Sequence, residues 1–298
     1  MSVAALVNTN EWPLSDFQTT VHLREVFQRD GVLVLPEFVP HEVVQRMVAE
    51  TEELVALAHR SESQKTVYLS SPDESFPEGH PRRTVQSSAV EVIAYDHIPA
   101  HHAVRELYES DELMTFVAGV LGQEKLYRYA DPFGALNLAV MGEGDQLGWH
   151  FDMTDFVVSL ALQPSQAGGE FENAQKLRTA TDENYDDVQS VLSGKARHRI
   201  RVEPMHAGSL MIFNGRTSLH KVTPIEGETL RIVALLAYDT KSGTDSSDEL
   251  KLGNVASRFS GVKLEWDAVN MKFPGKPEAE ALLTKEYRKG WELIAAGA

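Results

Sequence analysis

Between Leu136 and Tyr238 the apolar residues stop recurring at helical spacing and fall into short β-type runs. These are Leu136 to Met141, Phe156 to Leu162, Glu170 to Glu172, Ile200 to Pro204, Ser209 to Phe213, His220 to Thr223 and Leu230 to Tyr238. Gly, Pro and Asn separate them, the punctuation expected of turns between strands. So many short strands in so little chain bury their faces best as a sandwich or jelly roll. One helical insertion interrupts them, Asp182 to Leu192, acidic on one side and closed by Gly194. It reads either as a solvated helix or as a lid over a neighbouring site.

The flanks carry a different period. Ser15 precedes a helical pattern over Asp16 to Arg29, and Val32 to Leu35 is a short strand ended by Pro36. Helices are predicted over His41 to His59 and Ala103 to Val120, with Ser61 to Arg83 an exposed loop between them. Residues 1–130 are therefore expected to be mainly helical, 131–240 to form the β core with its insertion at 180–195, and 241–298 to return to helix, notably Pro277 to Ala296. No repeat or linker divides the chain, so 1–298 reads as one domain.

Composition narrows the function. With 28 basic and 44 acidic side chains in 298 residues the net charge is −16, and the most basic run, His80-Pro81-Arg82-Arg83, is too small for a nucleic-acid footprint. The absence of cysteine excludes disulfides, thiolate metal sites and cysteine nucleophiles, and accords with a cytoplasmic location. No apolar run approaches the roughly 20 residues of a membrane helix. A soluble protein is expected.

The chemistry gathers at Gly148-Trp149-His150-Phe151-Asp152. In an extended backbone positions i and i+2 share a face, so His150 and Asp152 converge and offer an imidazole and a carboxylate to one divalent metal. His220, on a later β run, offers a third ligand. Two His and one carboxylate on a triangular face leave open positions, the pattern of non-haem Fe(II) oxygenases. Arg231 follows eleven residues after His220 inside a β run. A buried arginine needs an anionic partner, which a dicarboxylate cosubstrate would supply.

These residues resemble the signature of the Fe(II)/2-oxoglutarate-dependent oxygenase superfamily: His-x-Asp, a distant His, then Arg about ten residues on. The likeness extends to Asn137 through Asp145 before the first histidine, to Gly168-Gly169-Glu170-Phe171, and to Gly208 through Phe213 before the distal one. Gly215 to His220 and Ala237 to Asp239 are similar to the branch acting on free amino acids, which holds hydroxylases and halogenases. The resemblance implies a double-stranded β-helix (jelly-roll) core of α+β class flanked by N- and C-terminal helices. It also implies Fe(II), 2-oxoglutarate and O2 as cofactor and cosubstrates, with succinate and CO2 as co-products. His150, Asp152 and His220 would hold iron, and Arg231 the far carboxylate of 2-oxoglutarate. Halogenating relatives replace the carboxylate ligand by Gly or Ala; Asp152 fills that position, which favours hydroxylation. Many relatives add a hydroxyl two residues after the arginine, where this chain has Val233. Thr217, Ser218, Thr223 or Asn137 could serve as the second anchor.

Around the site, Arg216 could grip a substrate carboxylate or make a surface salt bridge. Asp155 could meet a substrate ammonium, Asp145 could form part of the wall, and Trp149 could touch substrate or pack the outer barrel face. Other readings stay open: a non-catalytic cupin-like metal-binding or sensor protein, a zinc hydrolase using the same triad, and a desaturase or cyclase using the same iron.

Overall fold

The computed structural model describes residues 3–131, 133–246, 259, 264–267, 270 and 272–283. After helix α1 (Phe17–Asp30) come strand β1 (Val32–Leu35), helix α2 (His41–Glu52), the strands β2 (His59–Thr66) and β3 (Val85–Ile93), helices α3 (Ala103–Tyr108) and α4 (Asp111–Leu121), and β4 (Tyr127–Arg128). The β-rich half follows: β5 (Leu136–Met141), β6 (Leu147–His150), β7 (Val157–Gln163), β8 (Ala167–Gly168), β9 (Phe171–Ala174), helix α5 (Tyr185–Leu192), β10 (Arg201–Glu203), β11 (Leu210–Phe213), β12 (Leu219–Val222), β13 (Ile225–Glu226), β14 (Arg231–Leu236) and β15 (Tyr238–Asp239). Helix α6 (Pro277–Leu283) closes the described chain. The rest of the helix expected over Pro277 to Ala296 lies outside the described residues.

Two antiparallel sheets form the expected jelly roll. The larger runs β1-β11-β7-β14-β5-β3-β2 and the smaller β10-β9-β12-β6. The period of two sorts each strand of the large sheet between two cores. Leu138, Val140, Leu160, Ile212, Ile232 and Ala234 pack against the helices. Their neighbours Met141, Met211 and Phe213 turn inward to meet Phe171 and Val222 of the small sheet. Both faces are thus buried, which explains the near-continuous apolar sequence of β5, β7, β11 and β14. Each fully buried Leu or Ile there contributes about 1.5–3 kcal/mol. By the same alternation Arg231, flanked by helix-facing Ile232, points into the barrel.

The N-terminal part is less helical than the sequence suggests. The chain from His59 to Thr66, expected to be largely loop, pairs along its whole length with β3 from Val92 to Val85, extending the large sheet through the contact of β3 with β5. Strand β2 is an outer edge and nearly all its residues are exposed, so polar side chains satisfy both its faces. The single helix expected over Ala103 to Val120 is two, because Ser110 caps a new start: its Oγ accepts from Leu113 N at 3.3 Å, and Asp111 and Glu112 occupy the favourable first turn. Helix α5 is no lid over the barrel mouth. Its Val188 and Val191 cover the outer face of the small sheet, against Trp149, Phe151, Ala174 and Leu219.

Candidate metal centre

Strands β12 and β6 lie side by side with His220 directly opposite His150. Their rings stand 4.2 Å apart on the inner face. The extended backbone continues past β6, held by Phe151 N–H donating to Val67 O (2.8 Å) and Asp152 N–H to Gly215 O (3.0 Å). This carries Asp152 to the same point. Its Oδ1 is 3.7 Å from His150 Nε2 and its Oδ2 3.3 Å from His220 Nε2. Among the described residues this is the one group of three such side chains whose donor atoms, within 4.8 Å of one another, could hold a metal ion.

Hydrogen bonding prepares the donors. His150 Nδ1 is 2.7 Å from Gly148 O and His220 Nδ1 is 3.0 Å from Ser218 O. A carbonyl only accepts, so each Nδ1 carries the proton and each Nε2 presents its lone pair. Asp152 Oδ2 is buried without a hydrogen-bond partner among the described residues, a costly state that a cation at the centre would relieve. Phe171 and Phe213 wall His220 at 5.4 and 4.9 Å between ring centres. Burial pushes its pKa down to about 4, so the ring is neutral near pH 7, as a metal ligand must be. Two imidazoles and a carboxylate are a donor set that fits Fe(II).

Arg231, the first residue of β14, is 7% exposed. Its Nε donates to Gly169 O (3.0 Å) and its Nη1 lies 3.7 Å from Met141 Sδ. With no anionic partner among the described residues, burial pushes its pKa down to about 10. It lines a cavity of about 200 Å³ with Gln163, Ser165, Glu170, Phe171, Glu203 and Val233. A buried cation facing a cavity of this size fits a small dicarboxylate.

Several expectations are corrected. Asn137 lies on the inner face of β5 opposite Leu235, four positions along β14 from Arg231. At about 3.3 Å per residue, it cannot share the carboxylate that Arg231 would hold. Thr223 also fails as the second anchor. Its hydroxyl accepts from Glu170 N at 2.9 Å and donates to the Glu170 carboxylate, on the opposite face from His220. Thr217 and Ser218 precede His220 at the other end of β12, and Ser218 Oγ accepts from Lys176 N. The polar groups near Arg231 that the sequence reading missed are Gln163 and Ser165. A side chain on Gly169 would meet Ser165 Oγ at 2.5 Å and Arg231 Cδ at 2.9 Å, which places both beside one point.

Trp149 faces away from the metal donors, buried beneath α5 with Lys221 Nζ 5.0 Å from its ring centre. Asp145 is no free wall residue either. It is buried in the turn after β5, accepting from Gly142 N (2.9 Å) and pairing with Arg60 at 2.6 Å. Arg216 and Asp155 pair with each other, and Arg216 also donates to Met153 O. Both remain solvent-accessible, at 47% and 80% side-chain exposure. A support missed from sequence is Tyr68, stacked 5.7 Å from Phe151, with the Arg178 guanidinium against both rings, 4.1 Å from the Phe151 centre and 5.5 Å from that of Tyr68.

Solved structures share the architecture. HygX from Streptomyces hygroscopicus, with nickel and 2-oxoglutarate bound, is 14% identical with a TM-score of 0.52, covering 76% of this chain and 89% of its own. AviO1 from Streptomyces viridochromogenes Tue57 is 15% identical with a TM-score of 0.52, covering 76% and 97%. The epimerase SnoN, in complex with Fe3+, alpha ketoglutarate and nogalamycin RO, is 12% identical with a TM-score of 0.51, covering 75% and 84%. No curated protein matches the chain significantly. A family profile described as Halogenase D matches residues 15–252. The chain belongs to that family, within the Fe(II)/2-oxoglutarate-dependent oxygenase superfamily.

Proposed function

We propose that this protein hydroxylates an unactivated C–H bond of a small molecule, a free amino acid or a close derivative. The observation that carries the reading is the Asp152 carboxylate between His150 and His220, since a carboxylate there takes the position that halide would need. Bound Fe(II) with 2-oxoglutarate supplies the oxidising power, consuming O2 and releasing succinate and CO2. The chain's own residues then have distinct tasks. His150, Asp152 and His220 hold the metal on one face, and Arg231 fixes the far carboxylate of the cosubstrate, with Gln163 and Ser165 beside it. Phe171 and Phe213 keep water from one flank of His220.

The amino-acid assignment is supported by family membership and by the exposed Arg216–Asp155 pair. These residues sit on the segments that carry Gly215 and Asp152. A zwitterion presents a carboxylate and an ammonium, the charges that would replace each partner in this pair.

Anaerobic addition of Fe(II) and 2-oxoglutarate should give a weak visible charge-transfer band that is absent in His150→Ala. A screen of proteinogenic amino acids and their derivatives, read by succinate release and product mass, should then find one that gains a single oxygen. Loss of two hydrogens would instead assign desaturation or ring closure. A chlorinated product would overturn the reading of Asp152.

A further inference from the structure

We infer that Gly215 is a positioning residue for Asp152: the side chain missing at 215 is the space in which the metal-facing carboxylate stands. The inference rests on the metal-centre reading above and adds to it the residue that sets the third ligand.

Gly215 lies between β11 and β12, across from the segment that follows β6. A Cβ built on it would overlap Asp152 Oδ2 and stand 2.8 Å from Asp152 Cβ and 2.9 Å from Cγ. Atoms of this kind do not approach closer than about 3 Å without displacement, because repulsion rises steeply inside the van der Waals contact. A carboxylate could turn its oxygens away from such a methyl, but its Cβ could not. The Asp152 backbone is tied to the same glycine, its N–H donating to Gly215 O at 3.0 Å. A methyl at 215 therefore pushes either the whole carboxylate or the strand end away from His150 and His220.

Gly215 is not among the glycines with positive φ, so no left-handed conformation demands glycine there. The three heavy atoms nearest to that Cβ all belong to Asp152. Residue size at 215 and ligand type at 152 are thus coupled. An acid at 152 requires a bare backbone at 215, and a glycine at 152 releases that requirement.

The test is a double-mutant cycle of Gly215→Ala and Asp152→Gly, read by thermal unfolding of the metal-free proteins and by Co(II) titration. Alone, Gly215→Ala should weaken Co(II) binding by about 10–100-fold, the usual effect of disturbing a ligand's support. It should also lower the unfolding temperature. In the Asp152→Gly background the same substitution should change affinity by less than about twofold and leave the unfolding temperature unmoved. Wild-type affinity in Gly215→Ala, or equal losses in both backgrounds, would overturn the inference. If Gly215→Ala fails to fold while the double variant folds like Asp152→Gly, the coupling is shown directly. A wild-type protein that binds no Co(II) would sink the metal-centre reading, and the unfolding cycle by itself would then decide the role of Gly215.

Discussion

Replacing Arg231 by Met should stabilise the metal-free protein and at the same time abolish cosubstrate binding, two effects of opposite sign from one side chain. Among the described residues the buried guanidinium is partnered by Gly169 O at 3.0 Å and Met141 Sδ at 3.7 Å. Burial lowers its pKa from 12.5 to about 10. At 1.36 kcal/mol per pKa unit, this desolvation costs the empty protein about 3 kcal/mol. Methionine keeps most of the stem volume and carries no charge, although the bond to Gly169 is lost at about 1 kcal/mol. A net gain of about 2 kcal/mol corresponds to an upward shift in Tm of roughly 4–8 °C for a chain of this size. In the loaded protein the same change removes two charge-assisted bonds to a carboxylate, each about 1.5–3 kcal/mol, so the Kd for 2-oxoglutarate should rise by roughly 10²–10⁴-fold. Differential scanning fluorimetry of the metal-free variant and anaerobic 2-oxoglutarate titration with Fe(II) present would read the two effects. A variant that melts below wild type, or binds 2-oxoglutarate within about threefold of wild type, would refute the reasoning.

Other consequences are more local. The metal-free protein should lose stability in acid through His220, whose folded pKa of about 4 lies below its ordinary 6.5. The unfolded chain takes up the proton first, so this contribution is complete above pH 6.5 and falls away by about 3 kcal/mol as pH drops to 4; urea titrations at stepped pH should show it, and saturating metal should move the loss to lower pH. Gly168→Ala should destabilise by at least about 2 kcal/mol in denaturant melts, because φ is +65° there and a Cβ would overlap Pro224 O. Trp149→Leu should lower the unfolding free energy by about 1–3 kcal/mol while leaving substrate KM unchanged, since the ring packs under α5 on the outer face; a raised KM with unchanged stability would return Trp149 to the substrate pocket.

The metal donors were legible because alternation along a strand is a strict rule. His150 and Asp152 had to share a face, and His220 needed only a neighbouring strand with the right register. The same rule, applied one residue before His150, already places Trp149 outside, and three residues past His220 it turns Thr223 away from the interior. Those corrections were within reach of the sequence. The β2–β3 hairpin was not, because an exposed edge strand has no apolar face to show: His59 to Thr66 is polar at nearly every position. The neighbours of Arg231 were hidden for another reason. Gln163 and Ser165 reach it only through the pairing of β7 with β14 and the turn at Gly168 and Gly169, contacts that local spacing does not encode. The role of Gly215 is invisible in sequence too, since it depends on a close approach between two loops far apart along the chain.

The central claim is that two imidazoles and one carboxylate hold a ferrous centre that consumes 2-oxoglutarate. Its most direct test is succinate formation by the purified protein with Fe(II), 2-oxoglutarate and O2, before any substrate is known. Wild type should show slow, O2-dependent turnover, and Asp152→Ala and His220→Ala none. Turnover that persists in those variants, or a wild-type protein that makes no succinate under any amino acid tested, would contradict it.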